Sequence, residues 1–308
     1  MKATILLTGG SGFIGSHLAD ALLNDGYRVR VLDRRPPATV GVEWIDGDLM
    51  WLGDCERAAR GADVVIHLAA RIEGGESVAN LSEYFQGNVT VTLNILQACI
   101  ANQVSRFIHT SSGEVYGNIT IGKATESSRC DPISPYAASK YAAERAVLSF
   151  SRTFGLPVTV LRPFNTFGER QKPFRKGSAI PTFIAQSLRE EPLRVFGKGA
   201  EVRDFLYVRD LISAHISVLE AKVPSQAVFN VASGRGRSML EVAETVLEET
   251  GSKSELEFVS DSSDASRTLR SVGDSSLLVK STRWKPMWGF REALKRVIEH
   301  YKVVGVMP

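Results

Sequence analysis

The stretch Thr4-Ile5-Leu6-Leu7-Thr8-Gly9-Gly10-Ser11-Gly12-Phe13-Ile14-Gly15 decides how this chain folds. Its first five residues are largely apolar with no helical period, as in a buried strand. Glycines follow, and then a pattern at Leu18, Leu22 and Leu23 that stops at Gly26 predicts a helix. Strand, glycine loop and helix in that order make a dinucleotide-binding turn. Gly9 permits the tight turn, Gly12 lets backbone approach a pyrophosphate, and Gly15 lets the helix pack on the strand. The helix N-terminus offers unpaired N–H groups and partial positive charge to the anion. An ordinary glycine-rich turn is the competing reading, and the next element weighs against it. Tyr27–Leu32 reads as a second strand ending in Asp33, eighteen residues after Gly15. A carboxylate there accepts hydrogen bonds from ribose hydroxyls and repels a 2′-phosphate. Arg34 and Arg35 pull toward the phosphate, but Asp33 holds the strand-end position, so the reading favours NAD over NADP.

Val42–Ile45 gives a third strand leading to Gly47-Asp48-Leu49. Asp48 either meets the adenine edge or caps the following helix, and the spacing favours the cap. Asp63–Leu68 is a fourth strand closing on Ala69 and Ala70, small residues that let a flat ring come close. Arg71–Ser77 reads as a loop over the site, Ala79–Asn102 as one long helix, Val104–Thr110 and Val158–Leu161 as the fifth and sixth strands. This alternation implies an α/β fold with a doubly wound parallel sheet. Ligands of such sheets bind at the carboxyl ends of the strands. Gly9, Asp33, Ala69, Ser111, Ser112 and Arg162–Asn165 all fall there.

A second constellation lies in Ser134-Pro135-Tyr136-Ala137-Ala138-Ser139-Lys140. Ser134 and Pro135 read as the N-cap and first position of a helix, which puts Tyr136 in its opening turn. Lys140 is one turn on, along the same face. A phenol is a poor base at its ordinary pKa near ~10. A neighbouring ammonium is expected to lower that value and make Tyr136 a usable proton acceptor. Thr110-Ser111-Ser112-Gly113-Glu114-Val115-Tyr116-Gly117, after an apolar strand, is expected to supply a second hydroxyl. Any amphipathic helix can carry Tyr-x-x-x-Lys by chance, so the weight lies in its surroundings.

Taken together, these motifs resemble the extended short-chain dehydrogenase/reductase family, in particular its nucleotide-sugar epimerases and dehydratases of the UDP-glucose 4-epimerase kind. Thr8–Leu18, Asp33, Gly47–Leu49, His67–Ala70, Asn88, Ser111–Gly117, Tyr136–Lys140, Arg162–Gly168 and Arg203–Asp210 carry the resemblance, which spans nearly the whole chain. It implies a Rossmann domain over 1–167, joined by 206–233, and a smaller mixed α/β substrate domain mainly over 168–308. It implies Ser112 as the hydroxyl on the reacting sugar oxygen, Tyr136 as the base, and Lys140 as the residue that holds the nicotinamide ribose and tunes Tyr136. NAD contacts are expected from Gly9, Gly12, Phe13, Ile14, Gly15, Asp33, Arg34, Asp48, Leu49, Leu68, Ala69, Ala70, Asn88, Tyr136, Lys140 and Pro163. Substrate contacts are expected from Arg71, Ser112, Tyr136, Asn165, Arg175, Phe196, Arg203 and Arg270, with Asn165 and Arg203 on the diphosphate.

The dehydratases resembled here carry Asp-Glu directly after the catalytic hydroxyl: an acid for the leaving hydroxyl and a base for the C5 proton. This chain has Gly113-Glu114, so the acid is missing and loss of water is disfavoured. Uronate decarboxylases, with a small residue and then Glu, resemble the stretch better, and Glu114 stays among the candidate catalytic residues. An epimerase needs neither group. The reading therefore leans to a UDP-sugar 4-epimerase acting on a hexose or hexuronate, ahead of a decarboxylase. A cofactor-binding regulatory protein without turnover is a third possibility, against which the retained Ser112, Tyr136 and Lys140 speak.

The basic run Arg170–Gly177 is equally well a solvated turn or an arginine contact for a diphosphate or uronate. Arg203 has a neighbour in Asp204, so a plain surface pair is its simplest role. Phe290, Ala293, Leu294, Val297, Ile298 and Tyr301 form an apolar helical stripe that belongs in a core. The net charge of +3 gives no argument for nucleic acid or membrane surface. Cys55, Cys99 and Cys130 lack paired or ligand-like spacing, as do the five histidines, so neither disulfides nor a metal is expected. No apolar run approaches the ~20 residues of a membrane span. A cytoplasmic, soluble protein is expected, and the family resemblance implies a homodimer.

Overall fold

The computed structural model describes residues 2–72, 81–175, 178–260 and 268–305. Its first half alternates strand and helix: β1 (Thr4–Thr8), α1 (Phe13–Asn24), β2 (Arg28–Asp33), β3 (Glu43–Asp46), α2 (Leu52–Ala59) and β4 (Val64–His67). A helical region follows in three pieces: α3 (Leu81–Phe85), a π-helical turn (Gln86–Thr90) and α4 (Val91–Ala101). Then come β5 (Arg106–Thr110), a single 3₁₀ turn (Gly113–Tyr116), α5 (Pro135–Phe154) and β6 (Val158–Pro163).

The second half is less regular. It comprises β7 (Asn165–Phe167), α6 (Ala179–Leu188), β8 (Leu193–Phe196), β9 (Val202–Tyr207), α7 (Val208–Glu220) and β10 (Ala227–Val231). It continues with β11 (Gly236–Ser238), α8 (Met239–Thr250), β12 (Leu256–Val259), β13 (Arg270–Ser271), α9 (Ser276–Thr282) and α10 (Phe290–Val304).

Seven strands form a parallel sheet in the order β10-β6-β5-β4-β1-β2-β3. A parallel sheet is buried on both faces, so its strands read as continuous apolar runs. Ile5 and Leu7 join a core with Leu18 and Leu22 of α1 and Leu211 and Val218 of α7. Leu6, between them, joins the opposite core with Ala58 of α2, Ile95 and Leu96 of α4 and Val147 of α5. The result is a Rossmann-like three-layer fold whose strand order reverses between β1 and β4. A smaller sheet gathers β7, β11 and β13 around β9, and β8 pairs with β12. Ala293, Leu294, Val297, Ile298 and Tyr301 of the α10 stripe are buried as its spacing predicts, and Phe290 at its start is partly buried.

The expected single helix over Ala79–Asn102 is interrupted. Gly87 and Asn88 sit in the π-helical turn, and a Cβ on Gly87 would fall 2.9 Å from the Arg71 side chain. The loop expected over Arg71–Ser77 is described only at Arg71 and Ile72, and Arg267 also lies outside the described residues. No helix among the described residues is long and apolar enough to cross a membrane.

Candidate active site

The carboxyl ends of the seven parallel strands all point to one edge, and the glycine loop after β1 sits at the reversal of strand order. Gly9 has φ +72°, and a Cβ there would lie 2.8 Å from Ala69 backbone. Ala69 thus abuts the glycine loop as well as bordering the site. A Cβ on Gly15 would approach the Gly9 carbonyl oxygen to 2.2 Å, so α1 can cross the loop only with glycine there. α1 opens on Gly12 without a side-chain cap, leaving its first N–H groups for an anion. Phe13 and Ile14 turn their side chains toward the core, as does Leu68. Asp33 accepts from the Ser11 N–H at 3.2 Å and from the Arg35 N–H at 3.1 Å, which fixes its carboxylate beside the loop. These features fit a dinucleotide.

Asp48 corrects the capping expectation. Its Oδ1 accepts from the Met50 N–H at 3.0 Å and its Oδ2 stands 3.6 Å from Arg34, while α2 begins at Leu52, with Trp51 at its N-cap position and no side-chain cap. The pairing draws Arg34 toward Asp48 and away from the Asp33 end of β2. Leu49 is buried, and its carbonyl accepts from Asn94.

Ser134 caps α5 as expected, its Oγ accepting from the Ala137 N–H at 3.1 Å with Pro135 at the first position. That places Tyr136 in the first turn, close enough to Ser112 for its hydroxyl to favour the phenolate. Ser112 Oγ in turn accepts from the Glu114 N–H at 3.1 Å. Ser112, Tyr136 and Glu114 are therefore brought together.

The expectation that Lys140 acidifies Tyr136 is not met. Burial pushes the Tyr136 phenol above its ordinary value, the Glu114 carboxylate pushes it further, and only the Ser112 hydrogen bond opposes them. Lys140 is buried with its Nζ 2.6 Å from the Thr110 carbonyl, at the end of β5. Burial draws its pKa down to about 8, with Glu144 one turn on opposing. One of the three ammonium N–H groups is thereby held by the strand.

Asn88 is expected on the cofactor, yet its amide serves the protein. Oδ1 accepts from the Arg71 N–H at 2.7 Å, and Nδ2 donates to the Arg71 carbonyl and, at 2.8 Å, to Ser139 Oγ. It clamps the strand end after β4 to α5. Arg71 also pairs with Glu83. Pro163 ends β6 and Asn165 opens β7 beside Phe205. Arg203 pairs with Glu201 at 2.9 Å, a neighbour other than the expected Asp204. Arg270 donates to the carbonyls of Ile119 and Gly122 and so closes that loop onto β13. The Arg175 N–H donates to Ser178 Oγ, and Phe196 is exposed on β8.

Three groups near the site make contacts that the sequence reading does not state. Tyr84 stands edge-on to Tyr136 with ring centroids 6.4 Å apart. Arg162 makes a buried fork to Glu144, at 2.9 and 2.5 Å, and donates to Tyr116 Oη. His67, read only as structural, bridges Thr8 at 2.6 Å and Thr92 at 2.9 Å, and burial lowers its pKa to about 3. Arg162 and His67 stand in the motifs of the resemblance, but nothing in their spacing signals these partners.

A doubly wound sheet with a glycine turn on its first strand and a serine–tyrosine pair at its carboxyl edge defines a dinucleotide-dependent class of enzyme. The chain belongs to the NAD dependent epimerase/dehydratase family, whose model matches residues 5–232. NAD is accordingly its cofactor. It is 33% identical over 310 residues to the low-salt glycan biosynthesis protein Agl12 of Haloferax volcanii, covering 96% of this chain and 98% of that one. It is 30% identical over 325 residues to the dTDP-D-glucose 4,6-dehydratase of Bos taurus, covering 97% and 88%. The UDP-glucose 4-epimerase of Thermotoga maritima, solved with UDP-glucose, superposes with a TM-score of 0.92 at 31% identity, covering 98% and 99%.

Proposed function

We propose that this protein is a nucleotide-sugar 4-epimerase that inverts C4 of a UDP-hexose or UDP-hexuronate through a 4-keto sugar. The observation that carries the reading is Ser112 beside Tyr136 in the first turn of α5, with Gly113 where a dehydratase of this family holds its acid. When bound, NAD accepts the C4 hydride and returns it to the other face of the same carbon. Tyr136 takes the proton from the 4-hydroxyl and later gives it back, while Ser112 donates to the oxygen as it becomes a ketone. The positive charge of the oxidised nicotinamide is what would bring the Tyr136 phenol down, since burial and Glu114 hold it up. Lys140, Asp33 and the glycine loop hold the cofactor, and Asn165, Arg175, Phe196 and Arg203 face the nucleotide from the substrate side. A homodimer through α4 and α5 accompanies this reading.

A second reading keeps the same oxidation but ends in loss of carbon dioxide from a uronate. The closeness of Glu114 to Tyr136 supports it, since an epimerase does not use that carboxylate.

The test incubates the protein with a panel of UDP- and dTDP-hexoses and UDP-hexuronates. Isomerised sugar without net NADH is expected, and Tyr136→Phe should slow it roughly 100-fold or more. Carbon dioxide release would favour the second reading. A protein that converts nothing in the panel, or a Tyr136→Phe variant as active as wild type, would overturn both.

A further inference from the structure

Nothing in the backbone at position 113 asks for glycine: Gly113 is not among the residues of positive φ. What excludes a side chain is Phe164. A Cβ on Gly113 would stand 3.0 Å from three atoms of the Phe164 ring, tighter than most Cβ contacts, so the ring would have to give by a few tenths of an ångström. The ring has little room to yield. A Cβ on Gly273 would lie 2.4 Å from the same ring edge, Tyr116 stacks on the ring with centroids 6.2 Å apart, and Phe164 is 4% exposed. Val115, Ala124 and Ala232 complete its surroundings.

We propose that Phe164 is a specificity-determining residue. By filling the volume of a side chain at position 113, it keeps the site without the acid that expulsion of a sugar hydroxyl requires. A 4-keto sugar formed there then has hydride return as its outlet and not loss of water.

The proposal rests on the nucleotide-sugar reading above. With an aspartate admitted at 113, Glu114 would take the C5 proton. The new carboxyl would protonate the 6-hydroxyl as it leaves, and a C5–C6 double bond would form. The hydride first taken from C4 would then enter at C6 and a proton return to C5, so the net change is one water lost with no outside reductant. A carboxyl in the space left by the ring would be poorly solvated and held protonated, as an acid must be.

Two measurements test this. In a thermal melting cycle, Gly113→Ala should lower the Tm of wild type by about 5 °C, an overpacking cost, and barely move that of Phe164→Ala. Phe164→Leu replaces Phe164→Ala if the latter does not fold. In the second, Gly113→Asp and Gly113→Asp/Phe164→Ala are incubated with NAD and either UDP-glucose or dTDP-glucose, and the product mass is read. The double variant should give sugar nucleotide lighter by one water, and the single variant none. Equal Tm losses in both backgrounds, or dehydrated product from Gly113→Asp alone, overturn the proposal. Coupled melting without dehydrated product from the double variant leaves Phe164 a packing residue and overturns its role in specificity. Failure of wild type to convert any sugar counts against the nucleotide-sugar reading, while the melting cycle still decides the steric claim.

Discussion

Tyr136 and Lys140 are found on the helix that their sequence predicts, yet the electrostatics between them differ from the simplest reading. Spacing puts two side chains on one face, but it does not say which carbonyl a buried ammonium will choose. Thr110 lies thirty residues away in sequence, and its carbonyl takes Lys140 Nζ. A pH effect follows. Below about 8 the folded protein bears the cost of a buried ammonium. Between there and the free-lysine value near ~10.4, the unfolded chain holds a proton that the folded chain has released. Stability due to this group therefore rises with pH across that window. Urea unfolding of wild type and Lys140→Met should show wild type gaining on the variant from about pH 8 to about 10, since other groups cancel in the difference. Parallel curves would mean that Lys140 keeps its proton when buried.

Among elements, the glycine turn was the most legible because its requirement is steric and local. Gly15 has no alternative, with the Gly9 carbonyl 2.2 Å from any Cβ, whereas Gly53 in α2 has nothing within 4 Å. Gly15→Ala should abolish NAD binding and lower the Tm, with an overpacking cost of about 1–3 kcal/mol or more. Gly53→Ala should instead stabilise by roughly 0.5–1 kcal/mol, because alanine restricts the unfolded chain and favours helix. Calorimetric titration with NAD and thermal melts check both. The region after β4 was the least legible. Its apolar period runs on through Gly87 and Asn88, while the break serves a side-chain need that periodicity does not report. Asn88→Ala would leave the part-buried Arg71 N–H without its acceptor and the buried Ser139 without a donor. A loss of about 1–3 kcal/mol in chemical denaturation is expected, with cofactor affinity falling as the strand end after β4 loosens. Unchanged stability would show that water replaces the amide.

In the whole molecule, the parallel sheet was read strand by strand, while the expected return of 206–233 to it came with the resemblance and not from any pairing signal in the residues. β10 returns to the edge of the large sheet beside β6 after the chain has built β7, β8 and β9 elsewhere. Such pairings have no local sequence signature, and two- or three-residue strands such as β13 carry none of their own. Asp204 shows what holds the parts together. It sits on β9 and is fully buried, yet the sequence offers it only as a surface partner for Arg203. Its Oδ1 accepts from the Ser233 N–H at 2.9 Å and Oγ at 2.6 Å. Its Oδ2 accepts from the N–H groups of Gly234 at 2.9 Å and Gly273 at 3.2 Å. One carboxylate thereby fastens β9 to the segment after β10 and to the segment that lies against Phe164. Asp204→Asn nearly preserves shape but replaces one acceptor oxygen with an amide donor. Whichever way the amide turns, donors from one of those segments meet another donor. The expected cost is about 2–3 kcal/mol, roughly that of leaving a buried group unmade. It should appear as a lower urea midpoint with an unchanged slope, because the same surface is still exposed on unfolding. A shallower slope would show instead that the segments around β9 unfold separately from the large sheet, and that Asp204 does not join them into one cooperative body.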